Sequence, residues 1–321
     1  MAAVTAAMIK ALREATNAGM SACKNALVEA DGDFDRAVEI LREKGLAAAA
    51  KKAGRIASEG LVWAYITPDN SVGAVVEVNS ETDFAARNED FRSYVNKVIT
   101  QVASSDAEDI PSFLLEKWIE EDTLSVNDVL TQKIAIIGER IDIRRFERFK
   151  KQGPGALVSY IHGGGKVAVL AELGCETTND QLLEAGKNVC MQIAAMSPKF
   201  IGRADISDEF IQKETDILTQ QAKLEERENA ANNPNYKPKP EQILKKIIAG
   251  RLDKELKDFC LLEQEYVRDS EFTVDQYIKS VGKDIGSDIT VKRFVRYETG
   301  EGLAKKEENF ADEVNKAINQ A

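Results

Sequence analysis

The chain has 321 residues, 43% of them hydrophobic and 30% charged, with a formal net charge of −11. Domains run about 100–150 residues, so this length predicts two or three units rather than one core. The acidic balance disfavours a long nucleic-acid footprint, which needs a basic face to displace counterions, and no direct nucleic-acid partner is expected. Cys23, Cys175, Cys190 and Cys260 are scattered without a CxxC pair, which argues against a zinc ribbon or a dithiol redox motif and fits reduced thiols in a cytosol. The opening MAAVTAAMIKALREAT holds no apolar signal core, and no stretch approaches the roughly 20 apolar residues of a membrane span. A soluble, cytoplasmic protein with no membrane partner is expected; an organellar protein whose transit peptide has been removed is the open alternative.

Thr5 is placed to cap a first helix carrying Met8, Ile9, Leu12 and Ala15 on one face, broken at Asn17-Ala18-Gly19. Ser21 starts a second helix through Cys23, Ala26, Leu27 and Ala30. After Asp31-Gly32 a third carries Phe34, Ala37, Val38 and Leu41 and ends at Gly45. Helices this short cannot each bury a face alone, so they predict a three-helix module over 1–50 resembling a ubiquitin-associated domain, a module that binds protein surfaces. The Ala- and Lys-rich run that follows gains glycines and reads as a fraying helical linker over 51–59.

From Leu61 the hydrophobic period changes to two. LVWAYI, a turn at Thr67-Pro68-Asp69-Asn70 and VGAVVEV predict a hairpin, and a helix from about Asp90 presents Phe91, Val95, Val98, Ile99 and Val102. The pattern recurs: ALVSYI and KVAVLAEL flank His162-Gly163-Gly164-Gly165, and a helix with Leu182, Leu183, Val189, Ile193 and Met196 follows. IGERIDIRRFERF (137–149) aligns ungapped with IGSDITVKRFVRY (285–297), so Ile-Gly closes a helix and a basic strand follows in both halves, with Ile143 and Phe146, or Val291 and Phe294, available for burial. The fold class predicted is α+β, with duplicated hairpin, helix and strand core subdomains over 60–151 and 152–302. The second contains a charged insert at about 205–257 whose halves flank an Asn/Pro-rich tip, which predicts a projecting helical hairpin or coiled coil. A C-terminal helical module over 303–321 places Phe310, Val314 and Ile318 four residues apart.

Catalytic chemistry is not supported. His162 is the only histidine, and Gly163-Gly164-Gly165-Lys166 lacks the leading glycine and the Ser/Thr of a phosphate loop. No GxSxG, HExxH or dinucleotide fingerprint occurs, and the carboxylates are assigned mostly to solvated helices. No catalytic residue, metal site or cofactor is expected.

Four stretches, TNAGMSACKNAL (16–27), KKAGRIASEG (51–60), EVNSETDFAARNEDF (77–91) and IGERIDIRRFERF, together resemble the elongation factor Ts family in order and spacing, over essentially the entire chain. The resemblance implies a non-enzymatic guanine-nucleotide exchange factor for the translation GTPase elongation factor Tu. It assigns partner binding and magnesium displacement to Thr82, Asp83, Phe84 and Ala85, and further contacts to Lys24, Ile137, Gly138, His162, Leu261 and Leu262. It also allows a 2:2 heterotetramer with the GTPase. Two positions depart from the family pattern: Asn17 stands where glycine is usual, and Ser21-Ala22 replaces a common Met-Asp. The residues alone leave a rival, an RNA-associated module built on Arg140, Arg144, Arg145, Arg148, Lys150 and Lys151, which strand alternation would split between two faces. An enzyme joining His162 to a cysteine or hydroxyl nucleophile is the third reading.

Overall fold

The structure, a computed structural model, describes residues 4–16, 18–233 and 235–304. Phe310, Val314 and Ile318 of the predicted C-terminal helix lie outside the described residues. These comprise eleven α-helices and ten strands and divide into two compact units. The first holds the described residues of Met1–Lys150, Ile161–Ala168 and Tyr297–Ala321; the second holds Lys151–Tyr160 and Val169–Arg296.

The first unit begins with α1 (Ala6–Thr16), α2 (Met20–Glu29) and α3 (Phe34–Lys52), whose apolar stripes meet in a small core of Leu12, Cys23, Ala26, Leu27, Ala37 and Ile40. Thr5 Oγ1 accepts the Met8 N–H at 3.3 Å and Asp33 accepts the Arg36 N–H at 2.9 Å, so side chains satisfy donors at two helix starts. Gly45 does not end the third helix, as its sequence position predicts. It is buried inside α3, where a Cβ would lie 3.6 Å from Thr131 Cγ2, and the helix runs on to Lys52. There it packs against the helix carrying Thr131 at ordinary contact distance instead of making a turn.

The same unit continues with β1 (Glu59–Ile66), β2 (Val72–Ser80), α4 (Asp83–Arg87), α5 (Glu89–Ser104), α6 (Ile110–Leu115), β3 (Lys117–Trp118), β4 (Glu121–Ser125), α7 (Val126–Ile137) and β5 (Ile141–Lys150). The larger sheet has the order β1-β2-β5 with antiparallel pairs, and α5 buries Phe91, Tyr94, Val95, Val98, Ile99 and Val102 in its core. The Tyr94 phenol is pushed up by complete burial and stacks on Trp118 at 6.0 Å.

The second unit repeats the series with β6 (Gly155–His162), β7 (Val167–Gly174), α8 (Asp180–Met196), the inserted α9 (Asp208–Asn232) and α10 (Glu241–Phe259), then β8 (Glu265–Tyr266), β9 (Asp269–Thr273), α11 (Val274–Ile285) and β10 (Thr290–Glu298). The tip of the β6–β7 hairpin, from Ile161 to Ala168, is counted with the first unit. The sheet order β10-β7-β6 matches the first when read in reverse. In both halves a capping box, Ser125 with Asp128 or Thr273 with Gln276, starts the helix that Gly138 or Gly286 ends in the left-handed region. Helices α9 and α10 pack together, joined by Arg251 and Glu225 at 2.8 Å, and Lys239 with Tyr236 holds the Glu226 carboxyl down at about 2.

The recurrence of the hairpin extends residue by residue. Residues 60–82 align ungapped with 155–177, placing Gly60 on Gly155, Tyr65 on Tyr160 and Glu77 on Glu172. Gly155 has φ +128°, and a Cβ there would lie 1.9 Å from the Leu173 carbonyl oxygen; at Gly60, with φ +130°, it would lie 2.2 Å from that of Val78. Gly155→Ala is expected to cost about 3 kcal/mol of stability, read as a lower urea midpoint, because both backbone strain and overlap must be relieved.

Glu77 and Glu172, which fall in the predicted strands VGAVVEV and KVAVLAEL, are each fully buried on the middle strand of its sheet, so not every carboxylate is solvated. Nor does strand alternation separate Arg144 from Arg145. The register of β2 with β5 shifts between Glu77 and Val78, pairing Arg145 with Glu77 and Ile143 with Val78 and leaving Arg144 as a bulge. Both guanidinium groups therefore reach Glu77, at 3.1 and 2.6 Å. In the second half Arg293 meets Glu172 at 2.8 Å, with Lys292 at 3.7 Å.

Candidate partner-binding site

Strand β2 is buried to its end at Ser80, whose hydroxyl donates to the Thr82 carbonyl at 3.0 Å and turns the chain. Thr82 then caps α4 by accepting the Ala85 N–H at 3.2 Å. In this five-residue helix Ala85 and Ala86 are buried, which leaves Phe84 outward and 79% exposed. Among the described residues no other phenylalanine or tryptophan is so exposed. Read in isolation, Phe84 suits a buried aromatic; the placement of the two alanines excludes that. Asp83, next to it, is ion-paired with Arg87 at 2.8 Å.

The turn after α7 faces this loop. Gly138, with φ +81°, ends the helix and swings Glu139 toward Thr82, from which its carboxylate accepts the backbone N–H at 3.0 Å and the hydroxyl at 2.7 Å. Reciprocally, Glu81 accepts the Arg140 N–H at 2.6 Å and pairs with Arg55 at 3.2 Å. Thr82, Asp83, Phe84 and Ala85 are thus brought together with Ile137 and Gly138, although some fifty residues separate them in sequence. Ile137 is half-buried against the core and Gly138 is exposed.

The remaining predicted residues are placed elsewhere. Lys24 is exposed on α2 in the three-helix module. His162 is exposed at the end of β6, on a tip whose Gly165 carbonyl accepts the Val62 N–H at 2.8 Å. Leu261 and Leu262 belong to the second unit, in a short 3₁₀ turn over Leu261–Glu263. Leu261 is completely buried, so it cannot itself present a contacting side chain, whereas Leu262 is half-exposed.

The basic cluster of the rival RNA reading is engaged within the protein. Besides Arg144 and Arg145 on Glu77, Arg140 meets Asp142 at 3.0 Å, Arg148 donates to the Val102 carbonyl at 3.3 Å, Lys150 meets Asp106 at 3.4 Å and Lys151 donates to the Gly155 carbonyl at 3.5 Å. The four cysteines are buried. Among the described residues no group of three or more His, Cys, Asp or Glu side chains is arranged to hold a metal ion, and no helix is long and apolar enough to cross a membrane.

Sequence reasoning overlooked Glu81 and Glu139, although both lie in stretches that carry the family resemblance. The available signal was a difference between the halves: Glu139 corresponds to Ser287, while Ile137-Gly138 and Ile285-Gly286 agree.

The family model described as "Elongation factor TS" matches residues 81–301. The chain is 49% identical over 318 residues to the elongation factor Ts of Clostridioides difficile (strain 630), covering 99% of this chain and all of that relative. Identity to the elongation factor Ts of Clostridium novyi (strain NT) is 46% over 317 residues, covering 99% of each chain. For that of Clostridium tetani (strain Massachusetts / E88) it is 47% over 315 residues, covering 98% of this chain and 99% of the relative. A match of this extent and identity leaves one assignment: the chain belongs to the elongation factor Ts family.

Proposed function

We propose that this chain is a guanine-nucleotide exchange factor, not an enzyme, which binds elongation factor Tu in its GDP state, displaces the magnesium ion and promotes GDP release so that GTP can enter. The observation that carries the reading is Phe84: a large aromatic held in solvent on a doubly braced turn, in a member of this family. A GTPase retains GDP through backbone donors and a magnesium ion that neutralises phosphate charge, so disordering the ion's ligands loosens the nucleotide. In this reading Phe84 opens a packed site in the GTPase while Asp83 perturbs the polar groups around magnesium. Thr82 and Ala85 complete the wedge.

Linkage makes the effect reciprocal: if bound factor weakens GDP by some ratio, bound GDP weakens the factor equally. A ten-thousand-fold effect requires about 5.5 kcal/mol of differential binding, whereas burying one phenylalanine contributes about 1.5–3 kcal/mol. The wedge therefore needs a broad interface, for which Lys24 on the ubiquitin-associated-like module, Ile137, Gly138, His162 and Leu262 are the proposed further contacts, with the buried Leu261 anchoring the turn that carries Leu262. A cytoplasmic location and a 2:2 assembly with the GTPase belong to the same reading.

The test is release of fluorescent GDP from elongation factor Tu, followed by stopped flow. The chain is expected to accelerate release in a saturable manner, with no GTP hydrolysis of its own. A release rate indifferent to the chain at micromolar concentrations contradicts the proposal.

A further inference from the structure

We infer that Glu139 is a positioning residue for exchange: its carboxylate clasps Thr82 and thereby fixes the direction in which Phe84 projects, an inference that rests on the exchange reading above. The two halves of the chain supply an internal comparison. They run in parallel from Gly60 and Gly155 to Thr82 and Thr177, and then part. The first half continues with Asp83-Phe84 into a separate short helix before α5; the second continues with Thr178-Asn179, and Asn179 caps α8 directly by accepting the Leu182 N–H at 2.9 Å.

The facing turn diverges at the corresponding place. Ser287 follows Gly286 and its hydroxyl accepts one backbone N–H, from Glu176, at 3.2 Å. Glu139 follows Gly138 and accepts both the N–H and the hydroxyl of Thr82. The carboxylate thus occurs in the half that carries the exposed aromatic and is replaced by a hydroxyl in the half that does not.

The clasp reaches Phe84 through one atom. Thr82 Oγ1 gives its proton to Glu139 at 2.7 Å and accepts the Ala85 N–H at 3.2 Å, so both functions of the hydroxyl are committed. Its orientation sets the start of α4, and Phe84 is the second residue of that helix. Hydrogen bonds to an ionised acceptor are roughly twice as strong as neutral ones. An anchor fixed before encounter avoids losing part of its binding energy to being ordered on the partner. Glu81 closes the clasp from the other side through the Arg140 N–H.

Full-length Glu139→Ala and Glu139→Gln separate this from a merely structural role. Amide hydrogen exchange over 80–88, measured without the GTPase, is expected to quicken about tenfold in Glu139→Ala and to be partly restored in Glu139→Gln, which keeps one carbonyl acceptor. In GDP release the maximal rate should fall about tenfold in Glu139→Ala while the half-saturating concentration moves less than about threefold. The decisive arm is the double variant: in a Phe84→Ala background Glu139→Ala should cost less than about threefold, the share carried by Asp83, because most of its effect passes through that ring. Multiplicative losses, or unchanged hydrogen exchange, overturn the assignment. Should Glu139→Ala fail to fold, Glu139→Gln carries the same comparison. Failure of the wild-type chain to accelerate release overturns the exchange reading itself, a result visible before any variant is made.

Discussion

Glu77→Ala should lower the unfolding free energy by about 3 kcal/mol or more, measured as a drop in urea midpoint at unchanged slope. The fully buried Glu77 carboxylate accepts from Arg144, Arg145, the Asn79 amide and the Gly300 N–H, the last at 2.7 Å. Removing it leaves two cations facing each other across a cavity, together with an amide and a backbone donor that water reaches poorly. Breaking a buried ion pair from one side costs about 3–5 kcal/mol. The lower end applies because the Arg144 and Arg145 side chains are 24% and 30% exposed and regain part of their hydration. Glu77→Gln should be nearly as damaging, since volume is kept but the charge shared by both arginines is lost and, among the described residues, only Arg145 retains another carboxylate, Glu301 at 3.1 Å. A change below about 1 kcal/mol in both variants would show that the arginines, rather than Glu77, are compensated elsewhere.

Phe84→Ala should do the opposite: leave stability alone and abolish most of the activity. With the ring 79% exposed, little apolar contact is lost on truncation, so the urea midpoint should stay within about 0.5 kcal/mol of the parent. If the ring enters an apolar site in the GTPase, about 1.5–3 kcal/mol of transition-state binding disappears, equivalent to a roughly 10- to 100-fold slower maximal GDP release. The rate at saturating factor is the quantity to read, because a simple loss of affinity is recovered there. An unchanged maximal rate would refute the wedge role of Phe84 while leaving the chain's fold and family untouched. The contrast between the two variants separates scaffold from function on a single chain.

Much of the architecture is legible along the chain because its causes are local. The apolar strand runs around Val62 and Val76, the helical stripe through Phe91, Val95 and Val98, and the glycines at 138 and 286 each depend on a few neighbouring residues. Gly45 is misread by the same logic. Whether a glycine ends a helix or lies inside one is settled here by packing against Thr131 and Ala135, which lie far along the chain. The basic run of β5 misleads for a similar reason, since alternation assumes an unbroken ladder and the bulge at Arg144 is a property of its pairing with β2.

By itself the sequence determined the main helices and the two larger hairpins in their order, the duplication announced by its two Ile-Gly turns, and, through resemblance, the family, but not the short hairpins β3–β4 and β8–β9 or the helices α4 and α6. Tertiary structure alone decided that Phe84 points to solvent, that Glu139 meets Thr82, and that Glu77 and Glu172 are buried among cations. The physical reason is range. Periodicity and turn chemistry are set by neighbours a few residues apart, whereas the burial of a carboxylate is set by groups from β5 and from Gly300, which only folding brings within hydrogen-bonding distance.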